Sequence, residues 1–138
     1  METRITKNFT LDELCYSETA VKKGLANVPD KNQVQNLITL AIKLLQPVRD
    51  LYGKPMYVNS GFRSPEVNKA VGGKISSDHL QGKSADVRAN NPRELFNLVR
   101  NSKLSFDQLI LYPSFVHMSF RSAEINRGQV LYAEGVKP

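Results

Sequence analysis

His79, in "SSDHLQGKSADV", and His117, in "FVHMSF", are the only two histidines of the chain, and Asp86 stands seven residues after the first. Two imidazoles and a carboxylate suit a tetrahedral zinc ion, with Zn–N of about 2.0–2.1 Å and Zn–O of about 2.0–2.2 Å. Three protein ligands leave the fourth position open, as catalytic rather than structural sites do. Cys15 is the only cysteine, so a thiolate-rich structural site and an intrachain disulfide are both excluded. Taken singly, each histidine also fits a surface or hydrogen-bonded core position, so residue type alone leaves the metal reading open.

The elements around these residues decide whether they can meet. In "SADVR" strand alternation sends Ala85 and Val87 to one face and Asp86 to the other. In "SFVHMSF" it groups Phe115, His117 and Ser119 against Val116, Met118 and Phe120. Two adjacent strands would then offer Asp86 and His117 to one point, and Gly82, with Lys83 and Ser84, turns the chain between His79 and Asp86.

Further out, Thr10 with Glu13 three residues later forms a capping-box pattern that starts a short helix. "GLANVPD" breaks the chain, with Pro29 and Asp30 as turn residues. From about 31 to 52, Val34, Ile38, Ala41, Leu45, Val48 and Tyr52 recur at helical spacing, with a kink expected at Pro47 and a stop at Gly53. A strand is expected over Pro55 to Asn59. Ser64, Pro65 and Gly72 bound a second short helix. A strand follows over 84 to 89, then a helix with Leu95, Phe96 and Val99 on one face. "FDQLILY" and "SFVHMSF" form a hairpin about Pro113 and Ser114, and "GQVLYAEG" gives a last strand. This order defines an α+β fold, a small, mostly antiparallel sheet with helices packed on one side. At 138 residues, with no repeat or linker, the chain reads as a single domain over 1–138.

The net charge of +6 suits an anionic partner, either nucleic acid or a cell-wall polymer. The basic residues are scattered, with no arginine-rich stripe or aromatic-interleaved ribbon, so nucleic-acid binding is not expected. No apolar run nears the ~20 residues of a membrane span, and "METRITKNFTLDEL" lacks a signal peptide's apolar core. Synthesis in the cytoplasm is expected. Cys15 reads as a small hydrophobe rather than a nucleophile.

Three motifs in order, "SGFRS" at 60–64, "SDHLQGKSAD" at 77–86 and "FVHMSF" at 115–120, resemble the zinc D-Ala-D-Ala carboxypeptidase family, peptidase family M15. That family includes phage endolysins and vancomycin-resistance dipeptidases and shares its fold with the amino-terminal domain of hedgehog proteins. Its pattern of Ser-x-His, a glycine, and an aspartate seven positions after the histidine is met by Ser77, His79, Gly82 and Asp86. The resemblance covers roughly residues 9 to 120. It implies one zinc per chain on His79, Asp86 and His117, and a monomeric peptidase that cuts peptidoglycan stem peptides as a carboxypeptidase or an endopeptidase. It further implies that Arg63 binds substrate or stabilises the developing oxyanion, and that Ser77 hydrogen-bonds substrate. Read without it, Arg63 is a surface arginine after a turn and Ser77 a turn or capping serine.

One part of the family pattern is missing. Many members carry a Glu, Asp or His as general base just before the last ligand, or a glutamate after a "DQLI"-like segment. Here "LYPSFVH" offers Ser114, Phe115 and Tyr112 instead. Tyr112 or Asp78 could substitute, the ion could act with little help, or the chain could be a zinc-containing, non-catalytic module that binds cell wall or protein. A peptidoglycan substrate with no export signal on the chain fits a phage or prophage lysin.

Overall fold

The computed structural model describes residues 3–138. Helix α1 (Leu11–Cys15) begins on the expected capping box: Thr10 Oγ1 accepts from the Glu13 N–H, and Glu13 Oε1 accepts from the Thr10 N–H. A helix not expected from periodicity, α2 (Glu18–Lys23), follows with Ser17 as its cap. Asp30, read as a turn residue, is the N-cap of α3 (Lys31–Leu40) and forms a second capping box with Gln33.

The long helical stretch is divided. After α3 come a π-helical turn, Ala41–Leu45, and α4 (Gln46–Tyr52), which stops at Gly53 with φ of 69°. The disturbance caused by Pro47 thus takes the form of a widened turn just before the proline. Pro47 has no N–H to give, and a turn closed by the Gln46 N–H on the Ala41 carbonyl lets the next α segment open on the proline. The buried stripe is Leu37, Leu40, Ala41, Leu44, Leu45 and Val48. Val34 and Ile38, expected within it, are only half-buried, because the true stripe runs one position away from them.

Strands β1 (Tyr57–Ser60), β2 (Ser84–Arg88), β3 (Gln108–Leu111), β4 (Val116–Ser119) and β5 (Gln129–Tyr132) form one sheet in the order β1-β2-β4-β3-β5. All pairings are antiparallel except β3 with β5. Between β1 and β2 lies α5 (Pro65–Ala70), capped by Ser64, and between β2 and β3 lies α6 (Pro92–Arg100), capped by Asn91.

Alternation sends Ala85, Val87, Leu109, Leu111, Val116 and Met118 into a core shared with Leu37, Leu40, Leu44, Leu45, Leu95 and Phe96. Each such aliphatic side chain contributes roughly 1.5–3 kcal/mol on full burial. The fold is therefore α+β, a small mixed sheet with helices packed on one side. Asp86 and His117 lie on the sheet face turned away from that core.

Candidate metal centre

The centre begins with register. Asp86 of β2 stands directly opposite His117 of β4, and Ser60 of β1 stands opposite Asp86 on its other flank. A bulge between Val58 and Ser60 shifts β1 by one residue, which turns Ser60 onto the Asp86 face. His79 arrives on a 3-10 turn, Asp78–Gln81, that ends at Gly82 with φ of 72°. That glycine carries the left-handed turn and also lies against the Gln33 carbonyl of α3, where a Cβ would not fit.

His79 Nδ1 donates to the Gly61 carbonyl at 2.7 Å, leaving Nε2 to face Asp86 Oδ1 at 3.4 Å. This is how metal-ligating histidines are commonly oriented, one ring nitrogen held and the other presented. His117 Nδ1 donates to the same Oδ1 at 2.8 Å, and the two rings meet edge-on with centroids 5.2 Å apart. One ligand atom from each of the three residues lies within 4.8 Å of the others. A tetrahedron with bonds of 2.0–2.1 Å has edges of about 3.3 Å, so the donor set fits a zinc-sized cation that takes the place of the His117 proton.

Burial raises the Asp86 carboxyl's pKa, and hydrogen bonds from His117 and His79 outweigh it, holding the group well below the usual carboxylate range. It is thus an anion at neutral pH.

Arg63 completes the cluster. Its Nη2 lies 3.3 Å from Asp86 Oδ2, Nε donates to Ser60 Oγ at 2.9 Å, and Nη1 to Asn68 Oδ1 at 3.4 Å. Its backbone N–H also donates to the His79 carbonyl at 3.0 Å. Burial lowers the guanidinium's pKa, against Asp86 and Tyr112, which raise it. Arg63 is therefore bound into the site and is not a surface residue. Ser77 caps the 3-10 turn, its Oγ accepting from the His79 N–H at 3.2 Å; a hydroxyl used this way still has a proton to donate.

Several supports were not singled out in the sequence. Asn27 donates to the carbonyls of Cys15 (2.7 Å) and Phe62 (3.0 Å) and accepts from the Ser64 N–H (2.7 Å), which fastens the "SGFRS" segment. Gly61 runs so close to the Leu14 carbonyl that a Cβ there would collide with it. Only "SGFRS" itself hinted at either residue. Of the two substitutes for a base, Asp78 is ion-paired to Arg121 at 3.6 Å. Tyr112 lies on the metal face, next to Phe115. Cys15 is half-buried, and burial, then Asp12, pushes its thiol up to about 11, so it holds no thiolate at neutral pH.

Asp107, fully buried at the foot of β3, accepts from Arg127 Nη2 at 2.8 Å and from Arg127 Nε at 3.0 Å, with Arg121 Nε at 3.1 Å. Arg121 thereby ties the turn that carries His79 to the start of β3. The Arg127 hydrogen bonds, against burial, hold the Asp107 carboxyl below its ordinary value. A depressed folded-state pKa contributes stability that is complete above the unfolded value of about 3.9 and lost as pH falls through the folded one. Asp107→Asn is expected to cost roughly 1–3 kcal/mol at neutral pH. Thermal melts should show wild type losing Tm more steeply than the variant below about pH 4. Parallel curves would show that Asp107 contributes nothing through its charge.

A small mixed sheet backed by helices, with a His–Asp–His cluster on its other face, is the layout of a zinc peptidase fold. Residues 7–119 match the peptidase M15 family, and the chain belongs to that family. A zinc D-Ala-D-Ala carboxypeptidase of Streptomyces albus G is 39% identical to this chain over 87 residues, 61% of the chain and 32% of that protein. The match thus spans about a third of the relative's length.

Proposed function

We propose that this chain is a zinc metallopeptidase that hydrolyses peptide bonds in peptidoglycan stem peptides. The observation that carries this reading is the convergence of His79 Nε2, Asp86 Oδ1 and His117 Nδ1 beside a partly buried arginine. Zinc, when bound, polarises a carbonyl and activates water. His79, Asp86 and His117 hold the ion, and Asp86 brings its negative charge.

Arg63 holds a fixed guanidinium where a substrate carbonyl gains negative charge, and its orientation is set in advance by Ser60 and Asn68. Ser77 can donate its hydroxyl proton to the substrate backbone. No residue is assigned as general base; bases of this kind typically contribute 10²–10⁴-fold, so turnover without one is slow rather than absent. A cleft of about 430 Å³ between α4 and α6 is apolar, and its one carboxylate, Glu94, is paired to Lys54, so it offers no competing chemistry. In this reading residues 1–138 act as one monomeric domain with a cell-wall substrate, released as a lysin.

The test is incubation of the zinc-loaded protein with stem peptides and with intact peptidoglycan, followed by mass spectrometry. Loss of a terminal D-alanine marks a carboxypeptidase and an internal cut an endopeptidase. Zinc bound with no product from either substrate would replace the enzyme with a non-catalytic wall-binding module, the second reading that the missing base favours.

A further inference from the structure

Strand alternation places two rows of side chains on the metal face. The first is Ser60, Asp86, His117 and Ile110, matched across β1, β2, β4 and β3. The second lies two residues further along β2, β4 and β3, a step of about 6.6 Å. It contains Tyr57 paired with Arg88, and Phe115 paired with Tyr112 through the Tyr112 N–H bond to the Phe115 carbonyl at 3.0 Å.

The second row is ordered without being closed. Arg88 is exposed, and its guanidinium sits over the Tyr57 ring, 5.4 Å from the centroid. Tyr57 is itself 55% exposed. Tyr112 and Phe115 stack with centroids 4.5 Å apart and 11° between ring planes. Among the described residues Arg88, like Arg49, Arg93 and Arg100, has no carboxylate partner, whereas Arg63 beside the metal cluster has one.

We infer that Arg88, between Tyr57 and the Tyr112–Phe115 stack, is a subsite for a carboxylate carried by the substrate about two residues from the scissile bond. This rests on the peptidase reading above. An extended peptide advances about 3.3–3.6 Å per residue, so a chain laid along this face reaches the second row two residues beyond the metal row. A guanidinium fork takes a carboxylate in two parallel hydrogen bonds. The ring beneath Arg88 restrains it before the ligand arrives, and the flat aromatic pair offers a wall for the peptide's apolar surface.

The probes are the peptide L-Ala-γ-D-Glu-L-Lys-D-Ala-D-Ala, with the free α-carboxylate of its D-Glu, and the same peptide with that carboxylate amidated. Both keep the terminal carboxylate, so their difference isolates the internal one. Binding is measured by calorimetry on the zinc-loaded and metal-free protein, with cleavage followed separately. Wild type is expected to prefer the free carboxylate about fivefold, as a partly exposed charge-assisted pair would.

Arg88→Ala should bring the two peptides to parity without weakening the amidated one, and Arg88→Lys should recover part of the preference. Equal binding of both peptides by wild type, or a preference that survives in Arg88→Ala, overturns the subsite and leaves Arg88 as a cover for the sheet edge. Discrimination without cleavage would keep the subsite and remove the peptidase; cleavage without discrimination would do the reverse. Failure to bind or cleave either peptide overturns both.

Discussion

Asp86→Asn is expected to lower zinc content from about one ion per chain to near zero, because among the described residues the site has no other carboxylate to hold a divalent cation. Asp86 Oδ1 is the atom both histidines face, at 2.8 Å and 3.4 Å, and Oδ2 balances Arg63 at 3.3 Å. With a neutral amide at 86, an incoming cation meets two imidazoles and an unbalanced guanidinium. The loss in affinity should exceed the roughly 10–100-fold that removal of an outer hydrogen-bond partner costs a metal site.

Elemental analysis of the dialysed proteins reads this directly. Thermal melts give a second measure: zinc at a hundred times its Kd stabilises a folded protein by about 2.7 kcal/mol, so added zinc should raise the wild-type Tm and leave the variant's unchanged. Retention of stoichiometric zinc by the variant would remove Asp86 from the ligand set.

Arg63→Ala is expected to keep its zinc and lose about 10²–10³-fold in kcat/KM, the effect of removing one preorganised donor from a site of developing negative charge. The side chain is only 15% exposed, with each of its three nitrogens directed at Ser60, Asn68 or Asp86. Arg63→Lys should recover little, since a point charge cannot span Ser60, Asn68 and Asp86 together. Kinetics alongside zinc content separate the cases. Loss of zinc with loss of activity would make Arg63 a brace for Asp86; unchanged kcat/KM would end its proposed role in substrate binding or catalysis.

The readable parts of this protein were those written in adjacent residues. Thr10 and Glu13 announce α1 because both halves of a capping box lie within one turn, and Ser64 with Pro65 announces α5 for the same reason. Ala85, Val87, Val116 and Met118 declare a core face, and with it the opposite face of Asp86 and His117, because a strand's side chains alternate without reference to anything distant. The three ligand types were legible as chemistry before any pairing was known.

Less legible was whatever depends on a partner far along the chain or on the backbone alone. On helical spacing Val34 and Ile38 compete with Leu37 and Leu40 for the buried side of α3, and only packing into the shared core selects Leu37 and Leu40. The parallel pairing of β5 with β3 depends on where a returning chain can lie, which its own residues do not state.

By itself, then, the sequence determined the order and kind of most elements, though not α2 or the π-helical and 3-10 turns, together with the buried face of the sheet and the donors available to a metal. The tertiary structure alone decided that Asp86 faces His117 across 31 positions, that a bulge turns Ser60 onto the Asp86 face, and that the Gly61 carbonyl orients His79. Register and main-chain hydrogen bonds arise between segments brought together by folding, and a carbonyl oxygen is common to every residue, so no side-chain pattern could mark the one that holds His79.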